Sequence, residues 1–187
     1  MDESTEGQLG VIHRVVGVMR AADISAWLFG GWGLDARTGQ ITRDHGDVEF
    51  WIERHQGQRS KALLVEAGAI PLPTQPPEES CEFTWDGVPF STAYFDRQPD
   101  GTITTRGRWS DWELPPDSFG DDLGILDGLA VPAMSATGML AMKQQFPTLR
   151  NGRPWRRKTA RTSRHSERSS SGGLLRRVMW VDPGVSP

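Results

Sequence analysis

A short apolar run that ends in paired glycines, followed 16 residues later by two acids spaced one apart, constrains this chain more than anything else in it. Trp27, Leu28 and Phe29 read as a buried strand that enters a tight turn at Gly30 and Gly31. Glycine lets the backbone turn sharply there and lets a ligand approach the main chain closely. A helix over 32–37 would aim its unpaired N–H groups, and the positive end of its dipole, into that gap, which suits a phosphate. Residues 46–52 read as the next strand. Alternate residues of a strand share a face, so Asp47 and Glu49 project together while Val48, Phe50 and Ile52 turn toward a core. Two neighbouring carboxylates repel unless a cation lies between them. Mg²⁺ suits such a pair, because it keeps several waters, takes phosphate oxygens as further ligands and offsets charge on a transferring phosphoryl group. Taken singly, each half has a plainer meaning: a glycine pair is a turn, and an isolated D-x-E is a solvated strand face.

The two halves together, with Trp32 and Asp35 just after the turn and Thr42, Arg43 and His45 before the acids, resemble the aminoglycoside and lincosamide nucleotidyltransferases of the DNA polymerase β-like superfamily. The resemblance covers about residues 8–149. It implies an α/β (α+β) domain with a mixed β-sheet and helices packed against it. It implies transfer of a nucleoside monophosphate from ATP or another nucleoside triphosphate, with Mg²⁺, to a hydroxyl of a small acceptor such as an aminoglycoside or lincosamide, with release of pyrophosphate. By the same resemblance Gly30 and Gly31 hold the triphosphate, and Asp47 and Glu49 hold the metal. Arg43 supports the phosphates or braces the loop, His45 bonds across the loop, and Lys143 meets the phosphates. A surface arginine and a solvated helix lysine are the plain readings of Arg43 and Lys143.

Relatives often carry a third carboxylate on a later strand, as metal ligand and as base toward the acceptor hydroxyl. The matching strand here, 88–95, offers Ser91, or Ala93 in a shifted register, and neither is a base at neutral pH. Asp96, at the strand's end, is the better substitute than Asp86 and joins Asp47 and Glu49 as a catalytic candidate. The second acid is also Glu where Asp is usual. These departures leave a catalytically weak or inactive relative that binds nucleotide or a small ligand as the alternative.

The remaining elements fit one domain over 1–149. Leu9, Ile12, Val15, Val16 and Met19 recur at helical spacing within 8–22, and 55–67 reads as a second helix stopped by Gly68. Residues 71–79 read as a loop, and 81–86, 88–96 and 102–106 as strands of a meander. The segment 107–128 reads as a surface segment; with Trp109, Asp111, Trp112, Asp117, Asp121 and Asp122 it is a solvated loop or a receiving surface for a cationic acceptor. A last short strand is expected at 129–132, then a helix over 136–146 with Ser135 as its N-cap.

No apolar run approaches the ~18 residues that span a bilayer, the first six residues are acidic where a signal peptide is basic, and Cys81 is the single cysteine. A cytoplasmic protein without membrane partners is expected. The net charge of −3 hides an asymmetry: residues 1–149 hold 11 Lys/Arg against 22 Asp/Glu, and 150–187 hold 10 against 2. Native, such a basic, Ser/Arg-rich tail points to a nucleic-acid-binding or toxin–antitoxin-like module. Relatives instead carry a segment of Arg-x-Lys-Asp type and a final apolar helix. With GC-rich codons, one extra G after the codon for Lys158 turns the following eleven residues into Asp-Arg-Glu-Asp-Ile-Ala-Thr-Leu-Arg-Ala-Leu, an amphipathic helix of that kind. A lost base would thus account for the charge jump and the composition together, and would leave the tail disordered and the domain less stable. Sequencing the gene is expected to reveal a missing base near codon 159; an intact frame ends the idea. Salt-dependent DNA or RNA binding that disappears on deletion of 150–187 is the outcome expected of a native tail instead.

Overall fold

The apolar stripe of the first helix sets one side of the architecture. In the computed structural model, which describes residues 3–73, 79–107, 110 and 112–149, α1 spans Glu3–Ala21, and Leu9, Ile12, Val15, Val16 and Met19 are all buried. The tail from residue 150 onward, on which the disorder, frameshift and nucleic-acid expectations fall, lies outside the described residues. The first turn of α1, ahead of the apolar periodicity, docks through polar side chains: Thr5 and Gln8 are buried and bond to residues of the 39–47 loop.

The sheet follows the strand order β1 (Trp27–Leu28), β2 (Val48–Glu53), β5 (Val88–Arg97), β4 (Ser80–Trp85), β3 (Ile70–Leu72), and β6 (Ile103–Thr104) pairs with the far end of β5. β2 and β5 run parallel and the other pairs antiparallel, so the sheet is mixed, as expected. Strand alternation splits the side chains into two cores. Val48, Phe50 and Ile52 of β2, with Phe83, Phe90 and Tyr94, face α1 and Leu64 of α3 (Gly57–Glu66). Trp51, Ala93 and Phe95 face the other way, against Trp112, Leu114, Phe119 and the methionines Met139 and Met142 of α4 (Ala136–Leu149). Between β1 and β2 lies α2 (Gly30–Thr38), and on it packs the hairpin β7 (Leu123–Leu126) and β8 (Leu129–Pro132). No helix among the described residues is long and apolar enough to cross a membrane.

Two expectations are corrected. Residues 71 and 72, read as the start of a loop over 71–79, belong to an edge strand on β4, Ile70–Leu72, with Pro71 opposite Phe83. An edge tolerates a proline because its lost N–H is not needed by an outer neighbour. The segment 107–128 is not a mere surface segment. Trp112, Leu114 and Phe119 are buried, Leu114 bridges to Ile103, and Phe119 stacks on Phe95 with ring centroids 4.0 Å apart. Its prolines and aspartates obscured an apolar cover over the second core. Asp117, Asp121 and Asp122 remain exposed, while Trp109 and Asp111 lie outside the described residues.

The hairpin and α2 meet through a glycine. A Cβ on Gly124 would stand 2.6 Å from the Ala36 carbonyl oxygen, a backbone atom that cannot turn aside. Gly124→Ala is expected to cost roughly 1–3 kcal/mol in chemical denaturation, as overpacked contacts do. Gly120→Ala, where a Cβ meets nothing within 4 Å, is expected to fall within about 0.5 kcal/mol of wild type.

Candidate active site

β1 ends at Leu28, and the backbone swings directly into α2 at Gly30, whose φ of +65° suits glycine. The helix thus begins at the glycine pair itself, two residues earlier than periodicity suggests. Phe29 holds the N-cap position and offers no side-chain acceptor, so no side chain caps the first-turn N–H groups. Phe29 N–H donates to the Glu49 carbonyl at 3.2 Å, which fastens the turn to β2. Glu49 Oε2 lies 3.0 Å from where a Cβ on Gly30 would stand, so the carboxylate sits directly over the start of the helix.

The loop from Gly39 to Asp47 is held by a buried acid. Asp35, fully buried on α2, accepts from Thr42 N–H at 3.1 Å, from Thr42 Oγ1 at 2.7 Å and from His45 Nε2 at 2.5 Å. The His45 ring lies 4.5 Å from that of Trp32, whose Nε1 donates to Gln8 Oε1 at 2.9 Å; Gln8 Nε2 in turn donates to the His45 carbonyl at 3.2 Å. Two helices therefore grip one loop. The close approach needs Gly31, because a Cβ there would enter the His45 ring and stand 3.0 Å from Arg43 Nη2. His45 accordingly bonds across the loop, as expected. Gln8 and Asp35 were given no role in the sequence. A buried acid inside a helix, at 0% exposure, is legible only once burial is known.

This frame brings Gly30, Gly31, Arg43, Asp47, Glu49 and Lys143 into one electrostatic neighbourhood. Burial pushes Glu49 up to about 7; the Asp47 charge adds to the rise and the Lys143 charge opposes it. Burial lowers Lys143, opposed by the charge of Glu49, with Arg43 lowering it further and Asp47 opposing. Lys143 reaches this place because α4 is anchored hard: Met134 N–H donates to the Leu28 carbonyl at 2.8 Å, Arg37 donates to the carbonyls of Ala133 and Met134, and Ser135 Oγ caps the helix at Gly138 N–H, 3.0 Å away. The Ser135 cap is the one expected.

Asp96 does not join them, which corrects its choice as substitute acid. Glu49 pairs in register with Ser91, and both lie on the Trp51–Ala93 face. Asp96 is five residues farther along β5, about 16 Å of strand, on the opposite face, and its carboxylate is held by Arg54 at 2.9 Å and Arg106 at 3.1 Å. It is a structural ion pair that ties the end of β5 to neighbouring segments.

The donor set fits Mg²⁺. Asp47 is exposed and Glu49 partly buried, and their mutual repulsion is one cause of the raised Glu49 value. Among the described residues no third His, Cys, Asp or Glu groups with them as ligands. Two carboxylates suit a cation that completes its shell with water and substrate phosphate oxygens.

A family model described as aminoglycoside-2''-adenylyltransferase matches residues 11–148. Among curated proteins, the chain is similar to a 2''-aminoglycoside nucleotidyltransferase of Escherichia coli and one of Klebsiella pneumoniae, each 36% identical over 61 residues, 33% of this chain and 34% of theirs. The chain thus matches about a third of the length of these relatives. Among solved structures, ANT(2'')-Ia in complex with adenylyl-2''-tobramycin is similar with a TM-score of 0.71 at 17% identity, covering 88% of this chain and 90% of that one. The lincomycin-bound lincosamide adenylyltransferase LnuA is similar with a TM-score of 0.64 at 16% identity, covering 83% and 93%. These likenesses establish a nucleotidyltransferase fold.

Because the folded protein holds the Glu49 proton to about 7 and an unfolded chain releases it near 4.5, this group's stabilising contribution is complete below the unfolded value and is lost as pH rises through about 7. Glu49→Gln is therefore expected to match wild type in denaturation midpoint near pH 4 and to exceed it by roughly 1–3 kcal/mol at pH 8. Added Mg²⁺ is expected to raise the wild-type midpoint at pH 8 and to leave the Gln variant's unchanged. Gly31→Ala is expected to displace His45 from Asp35 and to lower the midpoint at every pH.

Proposed function

We propose that this chain, which belongs to the aminoglycoside-2''-adenylyltransferase family, is a nucleotidyltransferase that moves a nucleoside monophosphate from ATP or another nucleoside triphosphate to a hydroxyl of an aminoglycoside or lincosamide. The observation that carries this reading is the meeting of an uncapped helix start at Gly30, the acid pair Asp47 and Glu49, and the cations Arg43 and Lys143 in one neighbourhood. Such a neighbourhood answers a triphosphate part by part. Unpaired N–H groups of α2 receive phosphate oxygens. Lys143, kept beside Glu49 by α4, gives its charge to the same oxygens. Arg43, whose Nη1 donates to the Asp44 carbonyl at 2.8 Å, is fixed on the braced loop and adds a second cation.

Asp47 and Glu49 would hold Mg²⁺, and the ion supplies charge neutralisation for the phosphates when bound. Glu49 needs such a cation to stay ionised near neutral pH, since burial favours its protonated form. The acceptor oxygen attacks the α-phosphorus in line with the departing pyrophosphate, so rigid placement of the nucleotide is the protein's main contribution. A cytoplasmic location, where nucleoside triphosphate is at hand, goes with this reading. The likeness to the structure carrying adenylyl-2''-tobramycin and to the lincomycin-bound one supports the choice of acceptors.

A second reading, a relative that binds nucleotide without turnover, is favoured by one observation: Ser91 stands in register beside Glu49 where a third acid is usual. Incubation with ATP, Mg²⁺ and a panel of aminoglycosides and lincosamides separates the two. Pyrophosphate release that depends on one acceptor is expected, with Asp47→Ala lowering kcat by roughly 10²-fold or more and Lys143→Met acting mainly on the nucleotide KM. Nucleotide binding without release would favour the second reading, and release that survives Asp47→Ala would remove the site from the mechanism.

A further inference from the structure

The acid pair occupies one end of a cross-strand row on a single face of the sheet. β2, β5, β4 and β3 place Glu49, Ser91, Glu82 and Leu72 side by side in register. Parity confirms that the four side chains share a face: Cys81, Phe83 and Trp85, which flank Glu82 on β4, all point into the opposite core, while Trp51 and Ala93, two residues along from Glu49 and Ser91, point into the second. Glu82 therefore projects to the same side as Glu49, two strands away, about 10 Å between backbones. Between them in register stands the short side chain of Ser91.

The environment of Glu82 differs from that of the other acids near this sheet. Asp96 is claimed by two arginines, Asp86 by Arg14, and Glu53 by Arg97. Among the described residues Glu82 has no ion pair and no side-chain hydrogen bond, although it is only partly exposed. It also falls outside any group of three acids or histidines able to hold a metal, so it is not a third ligand for the ion at Asp47 and Glu49. A hydroxyl that attacks a phosphorus held beside Glu49 needs a group to receive its proton. Asp47 and Glu49 face the cations, and Arg43 and Lys143 are donors. On this face Ser91 lies in register between Glu49 and Glu82, so the short side chain separates the two carboxylate-bearing positions.

We propose that Glu82 is the general base of this site, reaching across Ser91 from the neighbouring strand. The inference rests on the nucleotidyl-transfer reading above. The acceptor hydroxyl gives its proton to a Glu82 carboxylate oxygen; its oxygen forms the new bond to the α-phosphorus; the bond from that phosphorus to the bridging oxygen breaks, and pyrophosphate leaves with the electron pair. Leu72, exposed beside Glu82 at the sheet edge, supplies an apolar floor for the acceptor.

The test compares wild type, Glu82→Gln, Glu82→Asp, Ser91→Asp and the Ser91→Asp/Glu82→Gln double variant, with ATP, Mg²⁺ and tobramycin or lincomycin. Pyrophosphate release gives kcat and KM, ATP titration gives the nucleotide Kd, and thermal unfolding gives Tm. The expected result is a kcat for Glu82→Gln lower by roughly 10²–10⁴-fold, with nucleotide Kd and Tm unchanged, and recovery of turnover in Glu82→Asp or in the double variant, whose acid stands in register beside Glu49. Unchanged kcat in Glu82→Gln overturns the proposal and leaves the nucleotidyl-transfer reading standing. A loss of kcat that travels with weaker ATP binding or a lower Tm also overturns it, by making Glu82 structural. A silent wild type that gains turnover through Ser91→Asp shows the site to be sound and Glu82 not to be its base. Silence in both removes the inference together with the reading it rests on.

Discussion

The structure hangs on the three bonds that buried Asp35 accepts, from the Thr42 amide, the Thr42 hydroxyl and the His45 ring. A carboxyl group with no exposure is expensive unless its lone pairs are filled, and here they are filled by Thr42 and His45 of one loop. That loop carries Arg43 and leads into Asp47. Its position against α2 is therefore set by electrostatic necessity rather than by apolar packing. The Trp32 and Gln8 bonds extend the same grip to α1, so the first helix of the chain helps hold a loop nearly forty residues away.

The site sets two acids, Asp47 and Glu49, against two cations, Lys143 and Arg43. Glu49 is partly buried beside Asp47, and Lys143 is partly buried beside Arg43. Each pair of like charges is relieved by the other pair. Groups placed this way have given up some favourable solvation, which is the physical cause of the raised Glu49 and lowered Lys143 values.

Much of this was legible in the residues. The helical stripe of α1, the glycine turn, the meander and the Ser135 cap each follow from a local rule, periodicity or turn chemistry, that tertiary context did not override, while the strand expected over 46–52 begins only at Val48 and leaves Asp47 just ahead of it. What escaped was whatever depends on which strand lies beside which. Asp96 stood as the substitute for an acid at Ser91 because it ends the same strand; parity puts the two on opposite faces, and Arg54 and Arg106 explain why an acid stands there. Glu82 was invisible for the converse reason. Its alternation with Cys81, Phe83 and Trp85 marks it as facing away from one core, but only the β4–β5 register sets it beside Ser91. Segment 112–119 misled because its burial comes from three residues, Trp112, Leu114 and Phe119, set among prolines and acids that mask any period.

β3 closes the sheet with three residues, all exposed, and the middle one is Pro71. Exposed Ile70 and Leu72 would make such a rim adhesive to any extended chain that came alongside. A strand that offers no amide at its centre cannot be zipped onto by a newcomer, and at three residues it gives little length to template. The same proline thus lets the protein leave apolar side chains uncovered at its border without inviting self-association through them.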